Sequence, residues 1–191
     1  MKPLFVFRSP RLGFLAASPA LAAPAAAFYH RNRAAFAPFD PVQPEDFYTS
    51  AGQARRLAEE LAWAEAERSF RFLLVQPPHP GRIIGALGLD ELIRGARQSC
   101  FLSYKIDRTL WGRGYASEAI RYASGWAFRN LGLHRLEADI LPRNQASLRA
   151  AAKAGYRPEG LAPRLLKING VWEDHIRMVC FRAPGDTPGL L

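Results

Sequence analysis

Around Gly112 and Gly114 the chain changes its hydrophobic period. Up to Asp107, "CFLSYKID" reads as a strand; beyond Gly114, Ala116, Ala119, Ile120, Ala123, Trp126 and Ala127 recur at the spacing of a helix with one apolar stripe. A strand that becomes a helix through Gly112-Arg113-Gly114 leaves the first N–H groups of that helix without intrahelical partners, at the positive end of its dipole. Glycine also lets a backbone come close to a ligand. A pyrophosphate fits such a turn.

The elements on either side limit the fold this turn belongs to. "RLGFLA" reads as a strand, followed by Ala-rich helix to about Phe36, a loop over "PFDPVQPEDF", and a second helix with Ala54, Leu57, Ala58, Leu61 and Ala62 on one stripe. Three strands then follow closely, "FRFLLVQ", "RIIGALGLDEL" and "CFLSYKID", separated by "PPHPG" and "RGARQ"; this is an antiparallel meander. The glycine-led helix stops near Gly132. After it "HRLEADI" alternates strictly, with Leu136, Ala138 and Ile140 on one face and Arg135, Glu137 and Asp139 on a half-exposed one. A short helix from Gln145 to Ala154 closes on Gly155, and Asn169-Gly170 sets a hairpin in "RLLKINGVWEDHIRMVCF". The pattern predicts an α/β (α+β) fold with a mixed sheet.

A strand, a Gly-x-Gly turn and a helix also open a dinucleotide-binding unit, but the details oppose it. The pattern runs Gly112-Arg113-Gly114-Tyr115-Ala116-Ser117, so the third glycine is missing, and Asp107 to Trp111 separate strand from turn. Glu137 falls in the middle of its strand, not at its end. Antiparallel hairpins on both sides are foreign to a sheet built from repeated crossovers.

At 191 residues the chain suits one well-buried domain, taken as residues 1–191 with a core over about 12–181 and a tail at 182–191. The excess of 26 Lys and Arg over 17 Asp and Glu, a net charge of +9, favours polyanionic company: nucleic acid, ribosomes, anionic membrane or a phosphorylated cofactor. The arginines are scattered, with no block of like charges and no RNA-binding consensus, which argues against a dedicated nucleic-acid reader. Cys100 and Cys180 lie in strand-like runs without metal-ligand spacing, so they read as buried thiols in a reducing compartment, with no metal. Leu12 to Tyr29 is uncharged and competes as a secretion signal. Arg8 and Arg11 interrupt its apolar lead-in, Pro19 and Pro24 break its helix, and it is weakly apolar for the roughly 20 residues of a membrane span. A cytoplasmic protein with no membrane partner is expected.

Three motifs in order, "SYKIDRTLWGRGYASEAIRYASGWAF", "LHRLEADILPRNQASLRAAAKAGYRPEG" and "LLKINGVWEDH", resemble the GNAT acetyltransferase superfamily, and within it the ribosomal-protein alanine N-acetyltransferases of the RimJ type. "YHRNRAAFAPFDP" is similar to that subgroup's substrate-side helix and loop. The resemblance implies a mostly antiparallel twisted sheet of about seven strands flanked by helices, with a splayed central strand pair that admits acetyl-CoA. Trp111-Gly112-Arg113-Gly114-Tyr115-Ala116 matches the family's Gln/Arg-x-x-Gly-x-Gly/Ala with Trp in the first place. It implies a pyrophosphate cradle of backbone N–H groups from Gly112 to Ala116. The edge of the strand at Tyr104-Lys105-Ile106 would then pair with the pantetheine arm. Asn144, also a good helix N-cap, would bond that arm; Ser147 would sit near the sulfur, and Lys153 would meet phosphate on the adenine side or remain a solvated lysine.

Acetyl transfer needs a neutral amine, a polarised thioester carbonyl and a proton for the departing thiolate. A backbone N–H near Ile106 is the expected carbonyl partner and Ser147 the expected proton donor. Attack is expected to be direct, because neither cysteine has the neighbours of an activated nucleophile. Glu137, Asp139 and Asp174 are open as base, with Glu137 favoured and ordered water as an alternative. Phe39, Asp40 and Asp174 are the expected substrate contacts, in the loop from Phe39 to Tyr48 and the terminal hairpin. The acceptor implied by the resemblance is the N-terminal amine of a protein, a ribosomal one, with ribosome or rRNA surface contact. A small-amine acetyltransferase and a non-catalytic acyl-CoA-binding or RNA-associated module are the alternatives.

Overall fold

A computed structural model of the chain describes residues 5–183. One sheet of eight strands runs through them, and four helices cover its faces. The strands are β1 (Phe5–Arg8), β2 (Gly13–Ala16), β3 (Phe70–Gln76), β4 (His79–Ile93), β5 (Ser99–Ile106), β6 (Arg135–Ile140), β7 (Arg157–Ile168) and β8 (Val171–Phe181). The helices are α1 (Ala22–Phe36), α2 (Ser50–Glu65), α3 (Tyr115–Asn130) and α4 (Gln145–Lys153). The spatial order is β1-β2-β3-β4-β5-β6-β8-β7. Every pairing is antiparallel except β5 with β6, which are joined by a crossover through α3. The strand beyond the expected seven is β1, a four-residue edge strand fastened by stacking of Phe7 on Phe14 and on Trp126 of α3.

Two cores form, one on each side of the sheet. Phe14, Phe72, Leu87, Ile120 and Leu136 pack under α3 and α4; Leu15, Phe28, Leu57, Leu73 and Val75 pack under α1 and α2. A strand with helices on both faces buries consecutive residues, which is why "FLLV" in β3 is unbroken. Each such side chain contributes about 1.5–3 kcal/mol. The stretch from Leu12 to Tyr29 supplies β2 and the first half of α1, with Leu12, Phe14, Leu15 and Phe28 fully buried. Among the described residues no helix is long and apolar enough to cross a membrane. Cys100 is buried, whereas Cys180, read as buried, is half-buried near the end of β8.

Periodicity and structure part at two helical and strand faces. In α2 the packed face is Gln53, Leu57 and Glu60, while Ala58 and Leu61 face outward. The reason is polar: the Gln53 amide donates to the Phe47 carbonyl at 2.6 Å, and Glu60 pairs with Arg71 of β3 at 3.1 Å. In β6 the face taken as half-exposed buries Glu137 to 1% exposure beneath arginines. The terminal hairpin turns through Asn169 (φ 49°) and Gly170 (φ 85°), the two left-handed residues such a tight turn requires. Strand β7 starts at Arg157, earlier than its apolar run, and carries two bulges.

The pair β5–β6 positions the site. It is in register only over Ser99↔Arg135, Cys100↔Leu136 and Phe101↔Glu137. Beyond Phe101 the strands part, and the N-terminus of α3 follows the end of β5 by way of the glycine turn.

Candidate active site

The end of β5 is fixed before the turn begins. Asp107, 1% exposed, accepts from the Thr109 N–H at 3.1 Å and hydroxyl at 2.9 Å, and from Arg31 Nε of α1 at 2.7 Å. Burial alone would raise its carboxyl, but these donors and the Arg31 charge outweigh that and hold it below the usual range. Asn32 of α1 accepts from the Arg108 N–H at 2.9 Å. Helix α1 is thereby tied to the strand that leads into the turn.

Gly112 (φ 75°) and Gly114 (φ 79°) both adopt left-handed backbone. A Cβ on Gly112 would meet nothing within 4 Å, so torsion and not space demands glycine there. Gly114 caps α3 and offers no side-chain acceptor; the first helical bond is Glu118 N–H to the Gly114 carbonyl at 3.1 Å. The N–H groups of Tyr115, Ala116 and Ser117 are left open to an anion. Arg113 is exposed and in no ion pair among the described residues. Trp111 folds back so that its indole N–H donates to the Ile106 carbonyl at 2.8 Å.

A brace from the far end of the chain holds this turn. Arg11, between β1 and β2, donates from Nε to Glu118 Oε2 at 2.6 Å and from Nη1 to the Arg113 carbonyl at 2.9 Å. Its guanidinium carbon lies 4.3 Å from the centre of the Tyr115 ring. The Ser9 hydroxyl (2.7 Å) and the Arg11 N–H (2.9 Å) also donate to Glu118. Burial would raise the Glu118 carboxyl, but these donors and the Arg11 charge hold it down, so an acid in the first turn of α3 is neutralised in place.

The open edge of β5 follows from its register. Ile106 faces Gly85, and Asp107 N–H donates to the Ile84 carbonyl at 2.8 Å, so Ile106 and Tyr104 are at non-hydrogen-bonded positions toward β4. Their own N–H groups point to the other edge, where β6 has diverged. Across that gap the Tyr104 hydroxyl lies 2.6 Å from Ser147 Oγ and donates to the Ser147 carbonyl at 3.0 Å. Burial pushes the Tyr104 phenol up to about 12, eased slightly by Ser147. Asn144 caps α4 by accepting from the Ser147 N–H at 3.2 Å. Lys153 is exposed in the last turn of α4.

On the other side of the sheet a cavity of 160 Å³ reaches Tyr104 and is lined by Tyr29, Asp40, Phe47, Arg56 and Lys105 among others. It adjoins one of 130 Å³ that takes in Phe36, Tyr48 and Asn169. Asp40 lines both, paired to Lys105 Nζ at 2.6 Å. Phe39, its neighbour, lines neither and is half-buried. The loop is held by Asn169, which donates to the Ala37 carbonyl at 2.8 Å, and by Arg143, which donates to the Pro38 carbonyl at 2.8 Å.

The carboxylates of the strands lie elsewhere. Glu137 sits in the paired part of β6, ringed by Arg97 at 3.0 Å, Arg135 at 2.9 Å and Arg177 at 3.3 Å. Burial would raise it; the guanidinium donors and charges prevail and hold it below the usual range, with Oε1 accepting from Arg97 and Arg135 while Oε2 accepts no hydrogen bond, and it lines neither cavity. Asp139 is held by Arg177 at 2.9 Å, and Asp174 is exposed, accepting from the Arg164 N–H at a β7 bulge at 2.8 Å; neither lines the cavities. Sequence reading missed Arg11, Glu118, Lys105, Asp107 and the Tyr104 hydroxyl. The only signal for them was an acid in the first turn of α3 and another at the exit of β5, common in any helix start.

Residues 11–157 match the family model described as an Acetyltransferase (GNAT) domain. Over 144 residues, 75% of this chain and 79% of its relative, the chain is 40% identical to a probable N-acetyltransferase YjcK of Bacillus subtilis (strain 168). Over 162 residues, 85% and 82% of the two chains, it is 31% identical to the ribosomal protein uS5-alanine N-acetyltransferase of Escherichia coli (strain K12). The ribosomal-protein-S5-alanine acetyltransferase of Vibrio fischeri has a similar structure, with TM-score 0.86 and 28% identity over 92% of this chain and 95% of that one. Mycobacterium smegmatis RimJ in complex with CoA-disulfide shares the fold, with TM-score 0.83 and 24% identity over 89% and 81%.

Proposed function

The chain belongs to the GNAT acetyltransferase family, and on that premise we propose that it moves acetyl from acetyl-CoA to the N-terminal α-amine of a protein, a ribosomal protein, by direct attack. The observation that carries the reading is the open edge of β5 beside the start of α3, which no side chain caps, with the Tyr104–Ser147 hydroxyl pair across the gap to α4.

The residues present fit the cosubstrate. Two left-handed glycines and the free N–H groups after them suit a diphosphate, and the edge at Tyr104 and Ile106 suits an extended amide-bearing arm. Acetyl-CoA supplies the activated acyl group and a thiolate leaving group. In this reading the Ile106 N–H, at the unpaired edge of β5, receives the charge on the carbonyl oxygen. Tyr104, protonated at any physiological pH, donates through or beside Ser147 to the departing sulfur. Asn144 orients the start of α4 and with it Ser147. Both cysteine thiols are pushed up by burial, which argues against an acyl-enzyme.

Asp40, paired to Lys105, is the acid that contacts the acceptor in this reading, since it lines both cavities and Glu137 lines neither. The Asp40 loop borders the 160 Å³ cavity, in keeping with a peptide's first residue entering from the α1 side. The ribosomal acceptor rests on the relatives that modify uS5 and on the net charge of +9, which attracts an RNA-bound substrate and repels polyamines. An α-amine near 7.7–8.0 is partly neutral at physiological pH, so ordered water suffices to take its proton.

The test is intact-mass spectrometry of salt-washed ribosomal proteins from cells lacking the enzyme, incubated with it and acetyl-CoA. One protein gaining a single acetyl at its N-terminus is the expected result. If none gains mass while acetyl-CoA still raises the melting temperature, the acceptor is a small amine or the protein binds without turnover.

A further inference from the structure

Arg11 has no part in the chemistry above. It lies on the turn between β1 and β2, more than a hundred residues from the glycine turn in sequence, yet its guanidinium reaches over that turn. A guanidinium has five N–H donors. One of Arg11's is spent on Glu118 and one on the Arg113 carbonyl. The Nη2 group has no acceptor among the hydrogen bonds of the described residues and stands 3.5 Å from where a Cβ on Gly114 would lie, beside the open N–H groups of α3. The side chain is 44% exposed, so those donors are accessible, while Glu118 is 8% exposed beneath it.

We propose that Arg11 is a ligand of the cosubstrate's diphosphate, so that the N-terminal strand pair β1–β2 forms one wall of the nucleotide site. This rests on the acetyl-CoA reading above. The fork geometry suits a diphosphate, because Nε and one Nη1 hydrogen anchor the plane and the three remaining donors, two of them on Nη2, are left in fixed directions for phosphate oxygens. Glu118 serves the anchor. Left alone, its carboxylate would oppose a diphosphate at the head of α3; paired to Arg11, it orients the cation and cancels its own charge.

The test compares acetyl-CoA with acetyl-pantetheine, which carries the same thioester without the diphosphate. The variants are Arg11→Met, Glu118→Gln and the double variant. For Arg11→Met the dissociation constant for CoA is expected to rise about 10- to 100-fold, the loss of charge-assisted hydrogen bonds. The preference in kcat/KM for acetyl-CoA over acetyl-pantetheine falls by a similar factor. The double variant separates contact from neutralisation: with no stray carboxylate left, binding stays weak if Arg11 touches the diphosphate. Recovery of parental CoA affinity in the double variant overturns the proposal, as does an equal slowing with both donors, the mark of a brace that merely shapes the fold. If the parent itself binds no CoA, the acetyltransferase reading fails; if the parent binds and Arg11→Met binds equally well, only the assignment of Arg11 fails.

Discussion

Replacing Tyr104 by Phe removes one oxygen, and the structure separates its cost in stability from its cost in rate. The lost hydroxyl contacts Ser147 Oγ at 2.6 Å and the Ser147 carbonyl at 3.0 Å. Neutral hydrogen bonds contribute about 0.5–1.5 kcal/mol each, and Ser147 is half-buried within reach of water, so the loss is about 1–2 kcal/mol. For a chain of this size that lowers the melting temperature by about 2–8 °C. If Tyr104 supplies the proton for the departing thiolate, kcat falls by about 10²- to 10⁴-fold, about 2.7–5.4 kcal/mol of transition-state stabilisation. Because the phenol sits at about 12, it remains protonated from pH 6 to about 10. The parent and Tyr104→Phe profiles should therefore share one shape across that range, displaced vertically. The assay is release of free thiol from acetyl-CoA at saturating acceptor, with calorimetry on the same samples. Adding Ser147→Ala to Tyr104→Phe should cost little more, because the two hydroxyls act as one relay. A Tyr104→Phe enzyme whose kcat stays within about threefold of the parent refutes the relay.

Glu137→Gln should keep most of kcat while losing about 3 kcal/mol of stability, the cost of breaking a buried ion pair. Since the folded carboxyl is held low, this stabilisation is present above the unfolded value near 4.3 and is lost as pH falls through the folded one; denaturant melts of parent and variant should converge in acid. Gly112→Ala should cost about 1–2 kcal/mol from the left-handed backbone alone, with Gly112→Asn costing less, and both should raise KM for acetyl-CoA; equal melting temperatures for parent and Gly112→Ala would count against the torsional argument. Asp40→Asn should raise KM for the acceptor about tenfold with little change in KM for acetyl-CoA, a split read from initial rates with each substrate varied in turn.

Much of the fold was legible because its signals are local. The meander, the stripe of α3, the caps at Gly132 and Gly155 and the Asn169-Gly170 turn each depend on residues within a few positions of one another, and each is present in the structure. Errors arose where partners are distant. The packed face of α2 is polar because Arg71 of β3 reaches Glu60, and β1 is a strand because Phe7 finds Trp126. The site divides in the same way. The glycine turn and the Asn144 cap were visible as motifs, whereas Glu137 read as a base on a half-exposed face because the cationic groups around it come from the β4–β5 turn, from β8 and from its own strand.

By itself the sequence determined the glycine-marked turns, where helices begin and end, and that an open helix start would follow β5, since these are torsional and periodic properties of short segments; the left-handed backbone at Glu67, Glu91, Gln98 and Arg164 it did not mark. Only the tertiary structure decided which charges face which. The proximity of Arg11 to Glu118, of Arg31 to Asp107 and of Tyr104 to Ser147 spans 107, 76 and 43 residues of chain. No local preference encodes such pairings; they exist because α3, α1 and α4, packed across the sheet, meet the β1–β2 turn, the end of β5 and Tyr104 in turn, and each buried carboxylate is tolerated only where that packing delivers it a donor.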